Sequence, residues 1–153
     1  MKLDATDIRL LRALQEDGRM SNAALAERAH LSASACHRRL RQLEMAGVIS
    51  GYGVRLNARA VGRGTIVFVE ITLQAQSQDL LDQFEAGVAR IPDVVECHLM
   101  AGSADYLLKI LAENSDDFAR IHRQHLSRLP GVAQMHSSFA LRTVADGNVV
   151  PLG

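Results

Sequence analysis

Apolar residues recur along this chain with two different periods. Over residues 1–50 the spacing is helical, and beyond residue 64 apolar runs alternate with helical stripes. In LDATDIRLLRALQEDG, Ile8, Leu11 and Leu14 fall on one helix face. Asp4 is placed to cap the first orphan amides, and Asp7 puts negative charge in the first turn. Leu3 and Ile8 can staple that entry, and Gly18 offers a stop. SNAALAERAH predicts a short second helix with Ser21 as cap and Ala24, Leu25 and Ala29 inward. HLS then forms a tight turn, with Leu31 buried and Ser32 capping a third helix. That helix, ASACHRRLRQLEMAG, turns Cys36, Leu40 and Leu43 inward and ends near Gly47. Val48 and Ile49 are expected to close the small core, and Gly-Tyr-Gly to make a turn or strand. A short helix, a tight turn and a newly capped helix make a helix-turn-helix.

The second half predicts strand, helix, strand, strand, helix, strand. TIVFVEITL at 65–73 is apolar on both faces, as in a strand covered on both sides. Ser77 caps a helix carrying Leu80, Leu81, Phe84, Val88 and Ile91, which Pro92 ends. Residues 94–100 and 106–112 read as strands. NSDDFARIHRQHLSRLPG reads as a helix capped by Asn114 or Ser115, with Phe118, Ile121 and Leu129 inside and Pro130-Gly131 as stop. VAQMHSSFALRTV closes the unit as a last strand. The fold class is α+β: a winged or plain helix-turn-helix followed by a ferredoxin-like βαββαβ sheet with both helices on one face. The expected division is 1–50 for the helical head, 51–64 for a linker or strand, 65–144 for the sheet domain and 145–153 for a tail. Because the first strand is apolar on its far face too, a second copy of the sheet is expected to cover it, giving a homodimer.

Charge separates the same halves. Residues 1–64 hold 11 Lys/Arg against 6 Asp/Glu, and the remainder hold 6 against 11. A basic module joined to an acidic one suggests that the first meets a polyanion. On the third helix Ser34, His37, Arg38 and Arg41 project outward with Arg39 on a flank, and Ser32 stands at its start. The start of that helix is the part that enters the major groove, where arginine pairs with guanine edges or clamps phosphate. These six residues are the candidate contacts to double-stranded DNA. Two half-sites about one helical turn apart suit a dimer.

Cys36 and Cys97 are too few for a disulfide framework, no apolar tract is long enough for a membrane span, and the acidic N-terminus lacks an export signal. A cytoplasmic, nucleoid-associated protein is expected. His122 and His125, three apart, make a weak metal pair without a converging carboxylate, so no metal and no cofactor are expected. No phosphate loop, nucleophile elbow or metal motif points to an enzyme.

The turn AGSADY joins two apolar strands. On residue chemistry alone it reads as a β-turn, with Gly, Ser and Asp in ordinary turn roles.

The stretch from LDATDIRLLRALQ to QLEMAGVISGY, with VFVEITL, VECHLMAGSADYLLK and LSRLPGV, resembles the Lrp/AsnC, or feast/famine, transcription regulators over residues 2–144. The likeness is to the leucine-responsive branch. It implies a ferredoxin-like sensing domain that dimerises through its sheets and assembles to tetramers or octamers. It implies a small amino-acid effector bound in clefts between subunits. It assigns Gly102, Asp105 and Tyr106 to that cleft, with Ser137 and Ser138 as further effector-facing positions. Ser138 stands where some leucine responders carry a bulkier aromatic residue. In that role Gly102 lets backbone amides approach the ligand, Asp105 accepts from its ammonium, and Tyr106 packs on its side chain. The expected function is sequence-specific DNA binding tuned by the effector. The competing expectation is an architectural DNA-binding protein that senses nothing.

Overall fold

The computed structural model describes residues 2–147 and 149–152. Two compact units form, one from residues 1–55 and 145–153 and the other from residues 56–144.

The first unit holds α1 (Ala5–Glu16), α2 (Asn22–Ala29) and α3 (Ala33–Met45). Asp4 accepts from the amides of Thr6 and Asp7 at 2.8 Å each, and Asp7 accepts from the amide of Asp4 at 3.0 Å. This reciprocal capping box uses Asp7 where the commoner form uses Glu or Gln. Ser21 and Ser32 cap α2 and α3 through the amides of Ala24 and Ala35. Gly18 does not act as the left-handed stop expected of it; α1 ends at Asp17 in extended backbone. The left-handed position falls instead on His30 (φ 57°), whose amide and that of Leu31 fold back onto the last turn of α2. Leu10, Ala13, Leu25, Ala26, Ala29 and Cys36 form the core, flanked by Leu14, Met20, Leu31 and Leu40. Val48 stays exposed, so it does not close that core. Among the described residues no strand follows α3 before residue 65, so neither the Gly-Tyr-Gly run nor the linker makes the strand considered for it.

The second unit runs β1 (Thr65–Leu73), α4 (Gln78–Val88), β2 (Val94–Leu99), β3 (Tyr106–Ala112), α5 (Ser115–Gln124) and β4 (Val132–Phe139), with a 3₁₀ turn at Leu126–Arg128. The strands lie in the order β2-β3-β1-β4, all antiparallel. Val67, Val69, Ile71 and Leu73 of β1 share the buried face with Tyr106, Leu108, Ile110 and Ala112 of β3. Phe84 and Val88 of α4 and Phe118 and Ile121 of α5 cover them. Each such aliphatic or aromatic residue contributes about 1.5–3 kcal/mol when fully buried. Asn114 caps α5 through Asp117, whereas Ser77 precedes α4 without a side-chain cap. Gly131 has φ 72°, and a Cβ there would run into Leu80, so this stop admits glycine alone. Strand β4 ends at Phe139, five residues short of the predicted end.

The register defines the face away from the helices. It carries Ile66, Phe68, Glu70 and Thr72 of β1 beside Leu107, Lys109 and Leu111 of β3. From β4 it carries Gln134, His136 and Ser138, and from β2 Glu96 and His98. The uncovered face is therefore half polar, less apolar than the composition of 65–73 implied. Residues 57–63 do not hang free: Arg63 pairs with Asp93 at 3.0 Å and Asp117 at 3.1 Å. No helix among the described residues is long and apolar enough to cross a membrane.

Candidate functional site

The head presents one polar stripe. Ser34, His37, Arg38 and Arg41 are all exposed on α3, while Cys36 and Leu43 on the opposite side are fully buried. The stripe follows from the spacing of three and four residues. Arg38 and Arg41 make no ion pair among the described residues, which leaves both guanidinium forks open. Ser32 is exposed at the start of the helix, but its hydroxyl is taken up by the cap, 3.2 Å from the Ala35 amide and 3.2 Å from Ser34.

Arg39 departs from the expected set. Its Nη1 lies 2.7 Å from Asp4 and 2.8 Å from Asp7, and the Asp7 side chain is only 4% exposed. Hydrogen bonds to Asp4 and then Asp7 push the guanidinium pKa up. One residue, about 100° of helix phase, separates Arg39 from the outer stripe, and the buried acid of α1 draws it inward. It joins α1 to α3. Asn22, which attracted no notice in the sequence, donates from Nδ2 to the Ala33 carbonyl at 2.9 Å and fixes α2 against the start of α3.

In the sheet unit the turn at 100–105 closes one end of the β1–β3 pair. The Asp105 amide donates to the Ile71 carbonyl, and the Met100 amide to the Asp105 carbonyl, both at 2.8 Å. Asp105 is buried, and both of its carboxylate oxygens are engaged, by the Leu73 amide at 2.7 Å and the Gln76 amide group at 2.6 Å. Asp105 thus continues the strand ladder with a side chain, with one donor on each oxygen. Tyr106 also turns inward. It is 1% exposed, stacks on Phe84 with ring centroids 4.5 Å apart, and donates its hydroxyl to Glu85 at 2.6 Å. Burial, then the Glu85 carboxylate, push its phenol pKa well up. In this chain both residues hold the turn from beneath.

Gly102 does line a hollow, of about 130 Å³, with Glu70, Met100, Ala101, Ser103, Ala104 and Leu107. It opens on the sheet face away from the helices, where Glu70 pairs across with Leu107 and with His136. Glu70 has no ion-pair partner among the described residues. The amides of residues 101–104 make no hydrogen bond to the protein among the described residues. A free carboxylate beside unpaired amides can hold a positive and a negative group at once. Ser137 and Ser138 point to opposite faces, opposite Val69 and Phe68, so only Ser138 shares the face of the hollow. Glu70 was missed in the sequence; its signal was a lone charge at an outward position of an apolar strand.

Of the other candidates, His122 packs edge-on against Phe118, and no three metal-ligating side chains gather among the described residues. Burial pushes the Cys36 thiol pKa up, as for a core residue.

Comparison with known proteins joins the two units. Residues 3–50 match the winged helix-turn-helix DNA-binding family, and residues 66–150 match the Lrp/AsnC ligand binding domain. The leucine-responsive regulatory protein of Salmonella typhimurium is 38% identical over 146 residues, 95% of this chain and 89% of that protein. A transcriptional regulator of Neisseria meningitidis, solved in complex with L-methionine, superposes with a TM-score of 0.92 at 35% identity, over 98% of this chain and 97% of that one. The feast or famine regulatory protein of M. tuberculosis, complexed with L-methionine, gives 0.84 at 32% identity, over 97% and 99%. The chain belongs to the Lrp/AsnC family of transcriptional regulators, with a DNA-binding helix-turn-helix and a ligand-binding domain, and is not an enzyme.

Proposed function

We propose that this regulator binds specific DNA sites and that a small amino acid, held at the Glu70–Gly102 hollow between subunits, sets how it assembles and how tightly it binds. The observation that carries the reading is the pairing of the unpartnered Glu70 carboxylate with the unpaired amides of residues 101–104 around one cavity. The carboxylate suits an α-ammonium, the amides suit an α-carboxylate, and Met100 and Leu107 offer apolar contact to a side chain. Gly102 lines the approach, and Asp105 and Tyr106 fix the loop from below. Two solved relatives carry L-methionine, which supports an amino acid as the ligand class.

The hollow lies open on the uncovered sheet face, so a second copy is what encloses it. Ile66 and Phe68 on that face and the exposed Tyr52, Val54 and Leu56 of the linker are apolar surface that a homodimer would bury. Tetramers or octamers of such dimers follow the family pattern. On the head, Ser34, His37, Arg38 and Arg41 read DNA, and the amides at the start of α3 meet a phosphate. The protein works on chromosomal DNA in the cytoplasm. Because the effector shifts DNA affinity only as far as it prefers one assembly, its effect is bounded by that preference. Calorimetry with the twenty amino acids on the wild type and Glu70→Gln tests the site. Saturable binding of at least one, lost or weakened about tenfold in the variant, supports it; equal binding to both removes Glu70 from the site.

A further inference from the structure

The end of the chain, whose sequence predicted no role, lies in the first unit. Gln15 on α1 holds Val150 at both of its backbone groups: Oε1 accepts from the Val150 amide at 2.6 Å, and Nε2 donates to its carbonyl at 3.2 Å. Arg12, one turn back on the same face, donates to the Leu152 carbonyl at 2.9 Å. A primary amide gripping one residue from both sides copies the hydrogen-bond pattern of a neighbouring strand, so it selects extended backbone and not a side chain. Around this clamp Leu3, Leu11, Leu14, Ile49 and Tyr52 line an apolar groove of about 490 Å³, and Val150 and Leu152 form part of its wall. Pro151 between them favours the extended form and lowers the entropy lost on docking.

We infer that the rim of this groove is a docking site for the chain's own C-terminal segment, residues 149–152, recognised by the Gln15 clamp. The occupant of the rim is the segment that the hydrogen bonds already join to it, with Leu152 half-buried beside the groove. A consequence concerns coupling. The chain passes between the two units twice, at residues 55–56 and 144–145, and the clamp makes the second passage a tether. A head held at two points follows movement of the sensing unit more closely than one held by a single linker. That consequence rests on the proposed effector response, whereas the docking itself does not.

The test uses the synthetic peptide VADGNVVPLG carrying a fluorophore at its N-terminus, with protein ending at residue 144. Anisotropy is expected to give saturable binding to the shortened protein, about tenfold weaker binding to its Gln15→Ala form, and little binding to the full chain, whose Gln15 clamp is already taken. Absence of saturable binding, or equal binding with and without Gln15, overturns the inference. The full-length chain supplies an independent reading. Hydrogen exchange at the Val150 amide should be slowed in the wild type and speed up at least tenfold in full-length Gln15→Ala, with circular dichroism unchanged. Identical exchange in the two proteins also overturns it. Binding that behaves as expected while effector and DNA stay uncoupled leaves the docking standing and refutes the effector reading.

Discussion

The Arg39 guanidinium lies 2.8 Å from the Asp7 carboxylate, which is almost wholly buried at the start of α1. The pair ties the first helix to the DNA-facing one. Removing Arg39 leaves a buried acid without its cation, a loss of about 3–5 kcal/mol for a buried pair and about 1–3 kcal/mol here, since Arg39 keeps 27% exposure. Arg39→Ala should lower the urea midpoint of the head, and DNA affinity should fall only as unfolding sets in. A variant of full stability that binds DNA poorly would return Arg39 to the DNA surface.

Arg38 and Arg41 behave differently, because nothing in the described chain engages them. Arg38→Ala and Arg41→Ala should each weaken DNA binding by about 1–3 kcal/mol with the fold and the oligomer intact. Thermal melting and gel filtration check the second half of that statement, and fluorescence anisotropy the first. A phosphate contact would also shorten the salt dependence by about one ion per arginine.

Asp105 is predicted to be a residue of the turn. Asp105→Ala leaves the buried Leu73 amide unpaired, at about 1–3 kcal/mol, while the exposed Gln76 side chain turns to water. Differential scanning calorimetry should show the loss without any ligand present. If the variant melts like the wild type yet fails to bind an amino acid, Asp105 is a ligand contact after all.

Helix-capping chemistry is local, so Asp4, Ser21, Ser32 and Asn114 were legible, as was the stripe Ser34, His37, Arg38 and Arg41. The order of the sheet followed from element order and from the apolar runs. What lay beyond reach depended on distant partners. Arg39 turned inward because of an acid 32 residues away, and Asp105 because of an amide 32 residues away. Periodicity says which face a side chain takes but not what stands opposite it. Glu70 was hidden for the reverse reason: it was absorbed into an apolar strand until the register put it beside the 101–104 loop. The tail carries no period at all, and only the clamp by Gln15 locates it.

Acid should destabilise the fold through particular carboxylates. The Asp117 carboxyl sits below its ordinary range, first because the Glu113 amide donates to it and next because Arg120 does. The Glu96 carboxyl is lowered by its hydrogen bond with Lys109, and Asp4 by the amide of Asp7 and then by Arg39. A carboxyl lowered in the folded state adds stability above its unfolded pKa, and that stability disappears as pH falls through the folded value. The urea midpoint should therefore hold steady down to about pH 5 on account of these groups and drop below about pH 4. Asp117→Asn should flatten the acid drop; a midpoint that falls as steeply in the variant would remove Asp117 from the account.

The central claim is that one small amino acid changes how this protein holds DNA. Its most direct test is genome-wide mapping of bound DNA with and without candidate amino acids, beginning with methionine and leucine, repeated with Glu70→Gln. The account predicts discrete sites whose occupancy shifts with one amino acid, and no shift in the variant. Occupancy unchanged by all twenty amino acids would contradict it and leave an architectural DNA-binding protein.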